Sequence, residues 1–302
     1  MTFAEWMSDT KRRISENGGD GVKRSVHELY VGALRRVDRF HNFGVPIYER
    51  DWDLLVVLDA CRADLMAEVA GEYDFVDTER TTSLAGGSKR WMKRNFVENP
   101  HSKIRNTVYV TGNPFSDEML SHQPFRNMEE VWKYAWDEEL NTVPARAVTD
   151  VTVQQARKYD HDSLIAHYMQ PHHPFVPTPL DSGMNRHDLK NPDRPVWDKL
   201  RDGEIDPQAA WDAYRENLQY VLDDVELLLA NVDADRAIIT ADHGNAFGEW
   251  GMWGHGDIPL SAVRDVPWCV TTATDTGEHD PDIVPERDKV AVSDKLRDLG
   301  YL

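Results

Sequence analysis

Two cysteines in 302 residues leave no disulfide framework to organise this chain. Cys61 and Cys269 each lie beside an apolar, strand-like run, where a small thiol packs as a core residue. Long hydrophobic runs are missing too. No basic segment followed by an apolar stretch opens the chain, and no later run reaches the length a membrane span needs. The expectation is a soluble, cytoplasmic protein with no integral membrane segment. Positive charge is short, with 34 Lys and Arg against 53 Asp and Glu and a formal charge of -19, which argues against nucleic acid as a partner. Lysine is scarce and acidic residues recur on nearly every presumed loop. Such a surface stays hydrated at high salt, where screening relieves its self-repulsion. Repeats and low-complexity tracts are also lacking. The remaining length is enough for one large α/β unit, or two modest domains, without covalent staples.

The pattern that is present alternates buried strands with helices. Residues 54–58 are apolar at every position, as a strand covered on both faces requires, and residues 237–240 repeat that pattern. Further strands are expected at 107–110 and 266–271. Helices are expected at 128–138, at 207–230 and at the terminal segment 290–299. Residues 152–169 read as a helix, or as a helix that gives way to a strand over 163–169 before Pro171. The polar stretch 178–196 reads as an excursion over the site. Val26, Leu29, Tyr30, Ala33, Leu34, Val37 and Phe40 recur at helical spacing, so residues 1–50 form a helical extension expected to cover the edge or base of the main sheet. Residues 51–302 form one catalytic domain. The fold class is α/β, a central mostly parallel or mixed sheet flanked by helices.

Both buried runs end on metal-ligating residue types. The first stops at Asp59; the second stops at Asp242-His243-Gly244. Ligands collect at the carboxyl ends of strands in open α/β sheets, so two distant segments meet around one cation. Carboxylate oxygen and imidazole nitrogen together suit several divalent metals, and calcium, magnesium, manganese and zinc all stay open. Gly244 allows a sharp turn after the pair. Arg62 and Asp64 line the same mouth, Arg62 either gripping substrate oxygens or serving a structural ion pair. Trp91, Trp250 and Trp268 read as packing residues, whereas Trp253, between glycines, could expose a face.

Four segments resemble the sulfatase-like branch of the alkaline phosphatase superfamily: VVLDACRAD at 56–64, YVTGNPF at 109–115, HYMQPHHPF at 167–175 and ITADHGNAFGEWGMWGHG at 239–256. The terminal LRDLGYL at 296–302 is similar to archaeal, salt-adapted members. The resemblance implies a metal held by Asp59, Asp242 and His243, although Ala60 stands where the family has a second aspartate. It implies a nucleophile between Asp59 and the Thr111-Gly112-Asn113-Pro114 turn. Ser88 fits, after Gly86-Gly87 and opening a helix; Thr82 and Ser83 are the alternatives. The Cys-x-Pro-Ser-Arg signature of formylglycine sulfatases is missing, and Ala85 stands in the place of its cysteine. A hydroxyl nucleophile beside a metal is the coherent substitute. His172 corresponds to the family's substrate-side histidine, with His173 and His167 less secure. His255 is expected to protonate the leaving oxygen or to bind a second metal. The implied activity is metal-dependent hydrolysis of sulfate or phosphate esters, carbohydrate-linked ones included. Phosphoryl transfer to a glycan or lipid, or an inactive glycan-binding homologue, is the alternative.

Overall fold

The computed structural model describes residues 3–40, 43–180 and 196–283. The chain divides into two compact units. One is helix α1 (Phe3–Phe40), grouped with Asp257–Pro259, and its helical geometry breaks at Gly18, where φ is 54° and ψ is -124°. The other is an α/β body. Its strands are β1 (Leu54–Asp59), β2 (Arg80–Thr82), β3 (Thr107–Thr111), β4 (Asn127–Glu130), β5 (Ser163–Pro171), β6 (Ala234–Ala241), β7 (Ala246–Phe247), β8 (Trp253–Gly254) and β9 (Asp265–Ala273). Its main helices are α2 (Ala63–Val69), α3 (Ser88–Met92), α4 (Phe115–Leu120), α5 (Ala145–Lys158), α6 (Val196–Arg201) and α7 (Pro207–Leu229).

Seven strands form one mixed sheet in the order β2-β9-β6-β1-β5-β3-β4. The five from β6 to β4 run parallel, while β9 pairs antiparallel with both β6 and β2. Every residue of β1 and of β5 is buried, the mark of central strands covered on both faces. Alternation then divides the core. Leu54, Val56 and Leu58 pack with Val148 and Val151 of α5 and with Leu218, Val221 and Leu222 of α7. Leu55 and Val57 face the other way, towards Trp91, Phe96, Tyr109, Ile165 and Ile238. Each such aliphatic side chain contributes about 1.5–3 kcal/mol relative to exposure. Asp206 caps α7, its carboxylate accepting from Gln208 N at 3.3 Å, and Pro207 opens the helix where its missing N–H costs nothing.

One expectation changes and an open alternative closes. Residues 128–138 are not a helix: β4 adds to the sheet edge in register with β3, Val108 opposite Asn127, and a single 3-10 turn follows at Val131–Lys133. Sheet pairing overrides a helix-compatible local sequence there. The segment 152–169 is resolved in favour of its second reading, since α5 ends at Lys158 and β5 begins at Ser163. The terminal helix at 290–299 and most of the excursion at 178–196 lie outside the described residues. No helix among the described residues is long and apolar enough to cross a membrane.

Candidate metal centre

The register of the central strands builds the site. Leu58 pairs with Ala241 in the parallel β1–β6 ladder, so the next residue of each strand, Asp59 and Asp242, emerges at the same sheet end. On the other flank β5 shifts register after Leu58, and His172 N donates to Asp59 O at 3.0 Å. Thr111 pairs with His167, which brings the Gly112-Asn113 turn to the same edge. Four parallel strands therefore deliver polar residues to one spot.

Asp59, Asp242 and His243 are fully buried, and each offers a ligand atom within 4.8 Å of the others. His243 Nε2 lies 3.5 Å from Asp59 Oδ1 and 3.7 Å from Asp242 Oδ2. Its Nδ1 is 2.9 Å from Gly244 O and donates its proton there, so Nε2 faces the carboxylates, the atom that a cation would meet. Asp242 Oδ1 accepts from Ala60 N at 3.0 Å and from His243 N at 2.8 Å. Asp59 Oδ2 accepts from Asn113 Nδ2 at 2.8 Å and from the Ser88 hydroxyl at 3.2 Å. Asp59 Oδ1 and Asp242 Oδ2 have no hydrogen-bond partner although both are buried. Lone pairs converging in a water-poor pocket repel one another, and a divalent cation is the group that reverses the sign of that interaction. The donor set fits one.

The local backbone is shaped for this convergence. Ala60 adopts φ of 61°, a left-handed conformation that costs a non-glycine residue about 1–2 kcal/mol, and it turns its N–H onto Asp242. Gly244 is not left-handed; the constraint is space, since a Cβ there would stand 2.4 Å from Ala262 O. Gly86 is tighter still. A Cβ on it would meet Gly256 O at 1.9 Å, and this close approach brings the loop carrying Ser88 against the segment carrying His255.

Protonation follows the geometry. Burial first, and the charge of Asp242 second, push the Asp59 carboxyl well above the usual carboxylate range. Burial also opposes ionisation of Asp242, but His243 and His167 outweigh it and hold that carboxyl low. Each carboxylate thus makes the other harder to ionise, a cost that a bound cation would remove. His172 is pushed down to about 4 by burial and by His243, and His255 well below its ordinary value by burial, His243 and His172. Both imidazoles are neutral near pH 7. Their Nε2 atoms lie 3.4 Å apart, and the rings of His243 and His255 are 4.4 Å apart, so His172 and His255 join the same site.

Ser88 Oγ also lies 3.5 Å from His243 Nε2. Of the other hydroxyls considered, Ser83 donates to Asp242 O and Thr82 lies on β2 at the sheet edge. Arg62 is near the site with its donors taken: Nε and Nη2 reach Asp64 at 2.8 and 2.5 Å, and Nη1 reaches Glu249 at 2.6 Å and Asn245 O at 2.9 Å. Its guanidinium also stacks over Trp211 at 4.9 Å. This arrangement favours the structural ion pair over a grip on substrate. Trp253 lies against Gly248 and is partly buried, whereas Trp250, expected to pack, is 61% exposed with φ of 53°. Asn113 proves to hold Asp59 and not merely its own turn. Tyr109, whose hydroxyl bonds His167, carried no sequence signal beyond its place in an apolar strand.

No protein-family model matches the chain, and no curated protein does. Solved structures that resemble it include the soluble domain of lipooligosaccharide phosphoethanolamine transferase A from Neisseria meningitidis, at 15% identity and TM-score 0.45 over 75% of this chain and 77% of that one. The C-terminal periplasmic domain of phosphoethanolamine transferase EptC from Campylobacter jejuni gives 15% identity and TM-score 0.47, covering 72% and 78%. A protein of the alkaline phosphatase superfamily from Vibrio parahaemolyticus gives 12% and 0.41, covering 77% and 62%. At these values the chemistry has to be read from the chain's own residues.

Proposed function

We propose that this chain is a sulfatase-like member of the alkaline phosphatase superfamily that hydrolyses phosphate or sulfate esters at a metal centre held by Asp59, Asp242 and His243. The observation that carries this reading is the meeting of two buried, partnerless carboxylate oxygens and the His243 imidazole with the Ser88 hydroxyl, 3.2 Å from Asp59 and 3.5 Å from His243. A divalent cation bound there would neutralise the carboxylate pair and supply Lewis acidity toward the ester's oxygens.

Ser88 is the nucleophile. Its hydroxyl is oriented by the hydrogen bond to Asp59 Oδ2, and Asn113 fixes that oxygen from the other side. Attack forms a bond from Ser88 Oγ to phosphorus or sulfur as the bond to the leaving alcohol breaks, and the hydroxyl proton passes to Asp59 Oδ2, which already accepts it. His172 steadies a nonbridging oxygen. His255 delivers the proton that the departing oxygen needs once the anionic ester has raised its low proton affinity. Water, giving a proton to the now neutral His255, then attacks the serine ester, and Ser88 Oγ leaves with the proton held by Asp59 as the anion is released. The cytoplasmic assignment is supported by two buried thiols that stay unpaired.

The experiment is acid quenching during turnover of an aryl phosphate and of an aryl sulfate with added Mn²⁺ or Zn²⁺, followed by peptide mass analysis. A phospho or sulfo adduct on Ser88 is the expected result, and an adduct on Thr82 or Ser83 would refute the nucleophile. Added glycerol separates hydrolysis from transfer, since a transferase would place the group on the alcohol.

A further inference from the structure

His167 is a fully buried imidazole that the chemistry above does not use. It sits in the middle of β5, and its ring is fixed by edge contacts with Trp91, at 5.6 Å and 67°, and with Tyr109, at 6.2 Å and 65°. Its Nδ1 lies 2.8 Å from Tyr109 Oη. Its Nε2 is buried, has no hydrogen-bond partner, and faces Asp242 Oδ2 at 3.8 Å.

We infer that His167 is a positioning residue of the metal centre, donating Nε2–H to Asp242 Oδ2 so that this oxygen presents its remaining lone pair to the cation. The inference rests on the metal-centre reading above. A neutral imidazole carries one proton, and the partner of one nitrogen decides where it resides. A phenol hydroxyl has a single proton and imidazole nitrogen is a good acceptor, so Tyr109 donating to Nδ1 leaves the imidazole proton on Nε2. Asp242 Oδ1 is already saturated by the N–H groups of Ala60 and His243, which fixes the plane of the carboxylate but not its free oxygen. A closure of about 1 Å brings Nε2 and Oδ2 to ordinary hydrogen-bond length. Tyr109, His167 and Asp242 then form a relay of orientation from the core of the sheet to the ligand, the kind of support whose loss costs about 10–100-fold in metal affinity.

The reverse tautomer, with Nδ1–H donated to Tyr109, would instead make Nε2 a direct ligand, and the two arrangements respond differently to substitution. Gln at this position can place an N–H near the site of Nε2 but offers no imidazole lone pair. The test is calorimetric titration of the full chain with Co²⁺, with the visible Co²⁺ spectrum recorded in parallel and the metal-free melting temperature confirming a folded state. His167→Leu is expected to bind Co²⁺ about 10–100-fold more weakly with an unchanged band shape, His167→Gln to recover to within about threefold of the parent, and Tyr109→Phe to fall between them. Equal affinity of His167→Leu and the parent would overturn the inference, as would His167→Gln binding no better than His167→Leu or a spectrum that loses a nitrogen ligand. A parent chain that binds no Co²⁺ would remove the metal reading itself, whereas a parent that binds tightly alongside indifferent His167 variants would remove this inference alone.

Discussion

Replacing Asp59 by asparagine separates the metal account from a purely structural role for the same residues, because the two states of the protein should respond with opposite sign. Without metal, Asp59 Oδ1 is buried with no hydrogen-bond partner and lies 3.5 Å from His243 Nε2. Asparagine keeps an acceptor for Ser88 and Asn113 at the other position and puts an N–H₂ where the orphaned oxygen stood, within reach of His243. Whether it stays ionised and unpaired or takes up a proton against its ordinary acidity, that buried oxygen costs about 1–3 kcal/mol at neutral pH. Removing that cost should raise the melting temperature of the metal-free protein by about 2–12 °C, at about 2–4 °C per kcal/mol for a body of this size. With metal at about 100 times Kd the order reverses, since the parent gains about 2.7 kcal/mol by mass action and the variant, having lost a ligand, gains little. Differential scanning calorimetry at neutral pH, with chelator and with excess Mn²⁺ or Zn²⁺, reads both states. A variant that melts lower than the parent in chelator, or one that metal stabilises as much as the parent, would refute the reasoning.

Ser88→Ala should lower turnover at least about 10³-fold while leaving the metal-dependent rise in melting temperature intact, because the hydroxyl is the nucleophile and not a principal ligand. Calorimetry on a variant whose turnover is followed by steady-state kinetics checks both halves. Metal affinity should rise with pH: the folded, metal-free Asp59 carboxyl is raised, so a cation competes there with a proton, and affinity climbs by up to about tenfold per pH unit until pH passes that raised value. Titrations at several pH values that give a flat line would contradict the buried carboxylate pair. The same sign governs stability without metal, since the contribution of a carboxyl raised on folding is fully present below its unfolded value of about 3.9 and is lost as pH climbs towards its folded one. Arg62→Ala should cost about 1–3 kcal/mol in urea denaturation, the partly exposed partners Asp64 and Glu249 screening the loss, with KM for a small aryl ester nearly unchanged. A large rise in KM with intact stability would restore Arg62 as a substrate contact.

Much of this arrangement was legible before any coordinates. An unbroken apolar run ending at Asp59 and another ending at Asp242-His243 indicate central parallel strands with polar tips, because full burial on both faces removes alternation and leaves only the ends free for chemistry. Edge elements were less readable. Asn127–Glu130 carries two acidic residues and pairs on one side only, so its strand character comes from β3 and not from its own composition. The three-residue β2 was invisible for the same reason. Within the site, Asn113 and Tyr109 act through the β3–β5 register and one rotamer each, which a linear pattern does not encode. Arg62 was ambiguous because its partners, Asp64 and Glu249, lie on opposite sides of a fold-dependent contact.

The most direct measurement is anomalous scattering from crystals grown with Zn²⁺ or Mn²⁺, collected on both sides of the metal edge. A single strong difference peak bounded by Asp59, Asp242 and His243, with Ser88 Oγ facing it, is the predicted result. Fully occupied metal elsewhere, or none between those three side chains under metal-replete conditions, would contradict it.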